Sequence, residues 1–248
     1  MAHKKDYTRY IFSSLGFLTI IGAWLLVSTL QNNDIIMPGL KITLLTFIDL
    51  FKHLHTYIVI LNTIGGVILV LLLSFISALL LALVSLKWPS FKSYITPILS
   101  LFKIVPVPAL IILFLSNFKQ PVIPYILTYI VILPLVYDGL YGAFISINKD
   151  VIDDLRLISK LNLKIIFKVY LPLVRKGFIS TLLQALGLGL KIKVMTEFIA
   201  EARNTIGYEL SYARSTLSMP TVFAWTLILI IFVIFLDYFL IARLKKSD

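Results

Sequence analysis

Apolar residues run along this chain in long blocks, at 11–33, 56–86, 104–118, 120–137 and 215–236, none of which holds a charged residue. A sixth apolar stretch, between 176 and 201, is interrupted by lysines. A helix that crosses a bilayer needs about 20 mainly apolar residues, so the pattern predicts an all-α, polytopic membrane protein with six transmembrane helices. The first block is longer than the core of a cleaved signal peptide and has no small-residue cleavage motif before Gln31, which reads as a retained span. After it, Met37-Pro38-Gly39 signals a turn. Leu44, Leu45, Phe47, Ile48 and Phe51 then recur as a short apolar pattern that predicts a surface helix lying on the membrane. Pro97, Pro106 and Pro108 predict a kinked or broken third span. Gly65 and Gly66 in the second span, and Gly139 and Gly142 in the fourth, allow close helix approach.

Composition agrees: 59% of residues are hydrophobic, 14% are charged, and the mean hydropathy is +0.98. The net charge of +11 then reports orientation and contact with anionic lipid rather than nucleic acid. With the N-terminus in the cytoplasm, that side receives Lys4, Lys5, Arg9, Lys87, Lys92, Lys149, Arg156, Lys160, Lys164, Lys168, Arg175, Lys176, Arg243, Lys245 and Lys246. These are fifteen of the twenty-three basic residues. The opposite side receives Lys41, Lys52, Lys119, Arg203 and Arg214, and the excess predicts that both termini are cytoplasmic. The chain has no cysteine, so disulfides and thiolate chemistry are excluded.

The one sizeable polar stretch lies between spans four and five. Asn148 can cap a helix with Asp150, Asp153 and Asp154 in its first turn and Lys160 near its end. Val151, Ile152, Leu155 and Ile158 make one apolar face, and Asn162 offers a turn. Lys164 and Lys168 then share a face before Leu171-Pro172 opens the next span. Two readings fit: an amphipathic element that passes force rigidly into the span, or an interfacial helix resting on acidic headgroups.

Asp153-Asp154-Leu155-Arg156-Leu157-Ile158-Ser159, with Leu171-Pro172 beyond it, resembles the "EAA" coupling loop of binding-protein-dependent ABC transporter permeases. Glu197-Phe198-Ile199-Ala200, Ile206-Gly207-Tyr208 and Ala213-Arg214 are similar to the branch that imports nitrate, sulfonates, taurine, bicarbonate or thiamine precursors. The resemblance implies the type I importer (MetI-like) fold as a single permease domain over 1–248, with a cytoplasmic coupling loop at 143–172. It further implies a cell-membrane (inner-membrane) location and several partners: ATP-binding cassette ATPase subunits, an external solute-binding protein or lipoprotein, and a second permease copy or close paralogue. ATP and Mg are then bound by the ATPase, with no cofactor on this chain. The loop departs from the family pattern at Asp153 for glutamate, at Asp154 and Leu155 for small residues, and at Ser159 for the turn glycine.

No phosphate-binding loop occurs in the sequence, and Gly187 and Gly189 lack the lysine and hydroxyl that one requires. No residue is assigned a catalytic role. His53 and His55, two apart, project in different directions on a helix and are read as solvated loop residues rather than metal ligands. Charged side chains inside spans cost about 2.5–3.5 kcal/mol each on insertion scales and usually face a cavity or a partner, which singles out Lys191, Lys193 and Glu197. Lys193 and Glu197 are spaced to pair on one helical face. Alternatively the fifth span lines a translocation path, with Lys191 or Lys193 drawing an anionic solute and Glu197 near the outer gate. Lys103 is expected to extend toward the cytoplasmic headgroups. Residues 201–220 are where a binding protein docks if the resemblance holds; otherwise they form a solvated loop. A stand-alone carrier driven by an ion gradient is the alternative, against which six spans without an inverted repeat count.

Overall fold

In hydrocarbon a backbone N–H or C=O without an internal partner is costly, and a helix satisfies these groups within its own segment. The apolar blocks are accordingly helical. The computed structural model describes residues 2–147 and 171–245. Among them the order is α1 (Ala2–Gln31), α2 (Leu40–Leu50), α3 (Leu54–Lys87), α4 (Pro89–Ile104), α5 (Val107–Leu115), α6 (Ile123–Ile145), α7 (Leu171–Ile199), α8 (Ile206–Ser215) and α9 (Met219–Lys245). No strand occurs among the described residues. Helices α1, α3, α6, α7 and α9 are each long and apolar enough to cross a membrane, and the pair α4 and α5 makes a sixth span if the two count as one.

That span, third in chain order, is broken as the prolines predict, and it begins before the apolar block at 104–118. α4 and α5 meet at an angle of 90°, with Val105 (ψ 126°) and Pro106 (ψ 127°) both extended between them. The cause is local. A proline ring pushes the preceding residue out of the helical region and offers no N–H of its own, so the chain leaves α4 at Val105. Pro108 falls in the first turn of α5, where a missing N–H costs nothing, and Pro97 is carried inside α4. Of the three prolines, then, only Pro106 marks the break. α6 runs on to Ile145, past the charge-free block that ends at 137 and through Gly139 and Gly142 as expected, which places Asp138 in a membrane-spanning helix. Lys103 donates to the Asp138 carboxylate instead of extending to headgroups.

The chain divides into two compact units. One comprises Met1–Tyr57 and Glu209–Ile230. Here the indole Nε1 of Trp24 donates to the Pro38 carbonyl (2.9 Å), and its ring lies 5.3 Å from that of Phe223. The predicted turn forms with Asn33 Oδ1 accepting from Ile35 N–H (2.9 Å) and Asp34 Oδ1 accepting from Gly39 N–H (3.1 Å). The short helix predicted after it is α2, whose Ile42, Leu44, Leu45 and Ile48 are exposed.

The other unit comprises Ile58–Tyr208 and Ile231–Asp248. Its core is made by α3, α4, α6 and α7, with Val70, Leu99, Val136, Leu140, Phe144 and Phe178 buried together. Phe178 meets Phe75 and Phe144 edge-on at 5.9 and 5.3 Å. α6 and α7 approach closely where one of them carries glycine. A methyl group at Gly139 would overlap the Thr181 side chain, and one at Gly189 would stand 2.5 Å from Ile132 Cδ1. Of the glycines expected to allow such approach, Gly139 and Gly66 do so, whereas Gly65 and Gly142 face open space.

Candidate functional site

α7 is the helix on which the charged in-span residues fall, and its two faces differ in kind. Toward α3 and α6 it presents Phe178, Thr181, Ala185, Gly189 and Lys193, all buried. Between Thr181 and Phe198 its only exposed residues are Gln184 and Lys191. Together with exposed Lys176 and Ser180, these recur at helical spacing and occupy an arc of about 80° at about 100° per residue. Gln184 Nε2 donates to Ser180 Oγ within this stripe (3.4 Å). The exposed residues in the middle of α3 are of the opposite kind: Leu69, Leu72, Leu73, Ile76 and Leu80 are each at least half exposed and apolar. Lipid accepts the α3 surface. The α7 stripe of amine, hydroxyl, amide and amine requires water, a solute or protein.

The buried side of α7 ends in a polar cluster. Lys193 and Glu197 are fully buried, and the ammonium donates to Glu197 Oε1 at 2.6 Å. The Lys193 Nζ also lies 3.9 Å from the centre of the Tyr125 ring on α6, a cation–π contact. Gly66 on α3 makes room for it: a methyl group there would stand 2.9 Å from Lys193 Cε. Glu197 Oε2 accepts from the Thr63 hydroxyl of α3 (2.9 Å) and from the Gly207 N–H (3.3 Å).

The Thr63 oxygen accepts in turn from Ile206 N–H (2.9 Å), and Tyr208 N–H bonds to Thr205 Oγ1 (3.3 Å). A helix leaves its first N–H groups without intrahelical partners. In α8 the first three are taken by Thr63, Glu197 and Thr205, so a carboxylate sits where the helix dipole favours negative charge. The connection from α7 to α8 is tight. Glu201 and Asn204 adopt left-handed backbone (φ 50° and 59°), and the Asn204 carbonyl accepts from Asn62 Nδ2 (3.0 Å). A side chain at Gly207 would overlap Glu197 Cβ, so glycine is what lets α8 start against α7.

Of the residues singled out by sequence, Lys193 and Glu197 are brought together and Lys191 is held apart from them on the exposed face. Leu171 and Pro172 lie in the first described turn of α7. Asp153, Asp154, Leu155, Arg156 and Ser159 lie outside the described residues. Thr63, Tyr125 and Gly207 were not anticipated as members of the cluster, and no local pattern points to contacts that join residues so far apart in sequence. Ser180 and Gln184 were legible, at four-residue steps from Lys176, but the hydropathy of the block hid them. Residues 201–220, expected to be either a docking segment for a binding protein or a solvated loop, contain α8.

No curated protein matches the chain. A family model, that of the binding-protein-dependent transport system inner membrane component, matches residues 78–244, which is more than half of the chain and takes in α4 to α8, the α7 stripe and the Lys193, Glu197, Tyr125 and Gly207 members of the buried cluster, but not Thr63 and Gly66. That family is a multi-pass membrane transport component that works with an ABC ATPase and a solute-binding protein. By this match the protein belongs to the family and is the permease subunit of an ABC importer.

Proposed function

We propose that this permease carries a small polar solute along the exposed stripe of α7. The solute belongs to the sulfonate, nitrate, bicarbonate or thiamine-precursor class, and the Lys191 cation favours its anionic members. The observation that carries this reading is the contrast between α7 and α3. Two helices of the same unit both expose residues along the middle of their length, and there α3 exposes apolar side chains while α7 exposes Gln184 and Lys191. In hydrocarbon the Lys191 ammonium is costly; beside an aqueous path it is solvated and can bind.

The remaining parts follow the family resemblance. A second permease chain, identical or a close paralogue, supplies the other half of the path, and lipid surrounds the rest. An external solute-binding protein or lipoprotein docks on 201–220 and delivers the solute. The ATPase subunits bind ATP and Mg and move the 143–172 segment, with Asp153, Asp154, Leu155, Arg156 and Ser159 in the coupling helix and Leu171 and Pro172 joining it to α7. The excess of basic residues on the side of the termini supports their cytoplasmic placement. Lys193 and Glu197, on the buried face of α7, set where that helix stands, while Lys191 meets the solute.

The chain has no cysteine, so single cysteines report their surroundings without background. Cysteines replacing Ser180, Gln184 and Lys191 are expected to react with a charged, membrane-impermeant thiol reagent in the assembled transporter, at rates at least about tenfold above those of cysteines replacing Leu72 and Ile76. Equal, slow labelling at all five positions would sink the path assignment.

A further inference from the structure

We propose that Glu197 is a positioning residue that makes the start of α8 move as one body with α7, so that a movement of the path-lining helix appears at the 200–208 segment, and the reverse. The inference rests on the reading of α7 as the helix that moves with the ATPase. Three observations carry it. Glu197 is fully buried and uses both carboxylate oxygens, one for Lys193 on its own helix and the other for Thr63 on α3 and the Gly207 N–H of α8. Thr63 bonds Glu197 and the Ile206 N–H at once, so the first two N–H groups of α8 end on one two-residue relay. The connecting backbone has no slack: Ala200 N–H returns to Thr196 O (2.9 Å), Ala202 N–H returns to Glu197 O (3.1 Å), and two non-glycine residues are held in left-handed conformation between α7 and α8.

Such an arrangement differs from a hydrophobic contact in what it permits. Apolar surfaces slide with little change in energy until they part, whereas a buried carboxylate whose donors come from three elements must lose a hydrogen bond if any one of them shifts. The start of α8 is therefore bound to follow α7 within the tolerance of a hydrogen bond.

The test is hydrogen–deuterium exchange on the assembled transporter with its ATPase, with and without ATP·Mg trapped by vanadate. In the wild type, trapping is expected to change exchange in α7 and, in step with it, in 200–208. Thr63→Val, which removes the relay hydroxyl, and Glu197→Leu are expected to retain the change in α7 and to lose at least about three quarters of it in 200–208. Two variants are expected to keep it: Thr63→Ser, and the double variant Lys193→Met with Glu197→Gln, which discards both charges and leaves an acceptor for Thr63 and Gly207. Thr63→Val should hydrolyse ATP within about twofold of wild type, which shows that it is folded and assembled. If 200–208 responds equally in Thr63→Val and wild type, the proposal is overturned. If α7 responds in the wild type and 200–208 does not, it is overturned as well while the path reading stands. If trapping changes nothing in α7, the path reading itself fails and takes the proposal with it.

Discussion

Replacing Lys193 with methionine tests whether the buried pair is chiefly an internal fastening. Methionine nearly matches the lysine in length and fills the same space between Gly66, Tyr125 and Glu197. What it removes is the ammonium, 2.6 Å from a carboxylate that is itself fully buried. Thr63 and Gly207 still donate to Glu197, but the charge has no counter-charge, and breaking one side of a buried ion pair costs about 3–5 kcal/mol. For a chain of this size each kcal/mol moves the melting midpoint by about 2–4 °C, so Lys193→Met should melt about 6–20 °C below wild type. Glu197→Gln should lose a similar amount, because it strands the ammonium. The double variant has no charge to strand and keeps an acceptor for both hydrogen bonds, so it should recover at least about 2 kcal/mol relative to the sum of the singles. Melting of the detergent-solubilised protein, followed by tryptophan fluorescence, measures all three. Additive losses in the double variant would refute the argument, since they would mean that the two side chains do not depend on each other. Below its melting range, Lys193→Met should also leave the solute concentration dependence of uptake unchanged.

Two further outcomes test the packing and the break. Gly139→Ala should lower the melting midpoint through overlap with Thr181, by about 1–3 kcal/mol in stability, and adding Thr181→Gly should restore most of it; a harmless Gly139→Ala would show that α6 and α7 are not in contact there. Pro106→Ala restores an N–H and relaxes the constraint on Val105, so spin labels at Ser100 and Leu113 should move apart as the 90° bend opens; an unchanged distance would place the cause of the bend elsewhere than in the proline.

Hydropathy was enough to read the class of fold, because the need to satisfy the backbone inside lipid leaves an apolar block few options besides helix. It located α1, α3, α6, α7 and α9, and the proline pattern foretold a break in the third span. The boundaries were less legible. Asp138 ended the charge-free block at 137, eight residues short of the end of α6 at Ile145, since a single carboxylate looks like the edge of the membrane until its partner, Lys103, is seen across the helix pair. The spacing of Lys193 and Glu197 announced their pairing, because residues four apart on a helix are neighbours. Thr63 and Tyr125 could not be foreseen, since their place in the cluster depends on how α3, α6 and α7 come together. In the segment 201–220 the apolar repeat within the helix is only three residues (Ile206, Leu210 and Ala213) among charges of both signs, too short to announce a helix by itself. α8 is fixed instead by the polar groups that receive its first N–H bonds, and these belong partly to other helices.

The length of α3 has a consequence for how the protein sits in its membrane. Its 34 residues rise about 51 Å at about 1.5 Å each, against a hydrocarbon core of about 30 Å and a full bilayer of about 40–45 Å. Even at an ordinary tilt of about 20° the helix outruns the whole lipid layer. His55 and Tyr57 therefore stand in one headgroup region, and Lys87, its ammonium 5.1 Å from the Trp88 ring, stands in the other, residue types suited to that level. A rod anchored at both surfaces cannot shorten, and when the membrane thins it must lean further, bend or thicken the lipid around it. Because α3 holds Thr63 and Gly66 against α7, its inclination is shared with the polar cluster, which makes bilayer thickness a mechanical input to the permease.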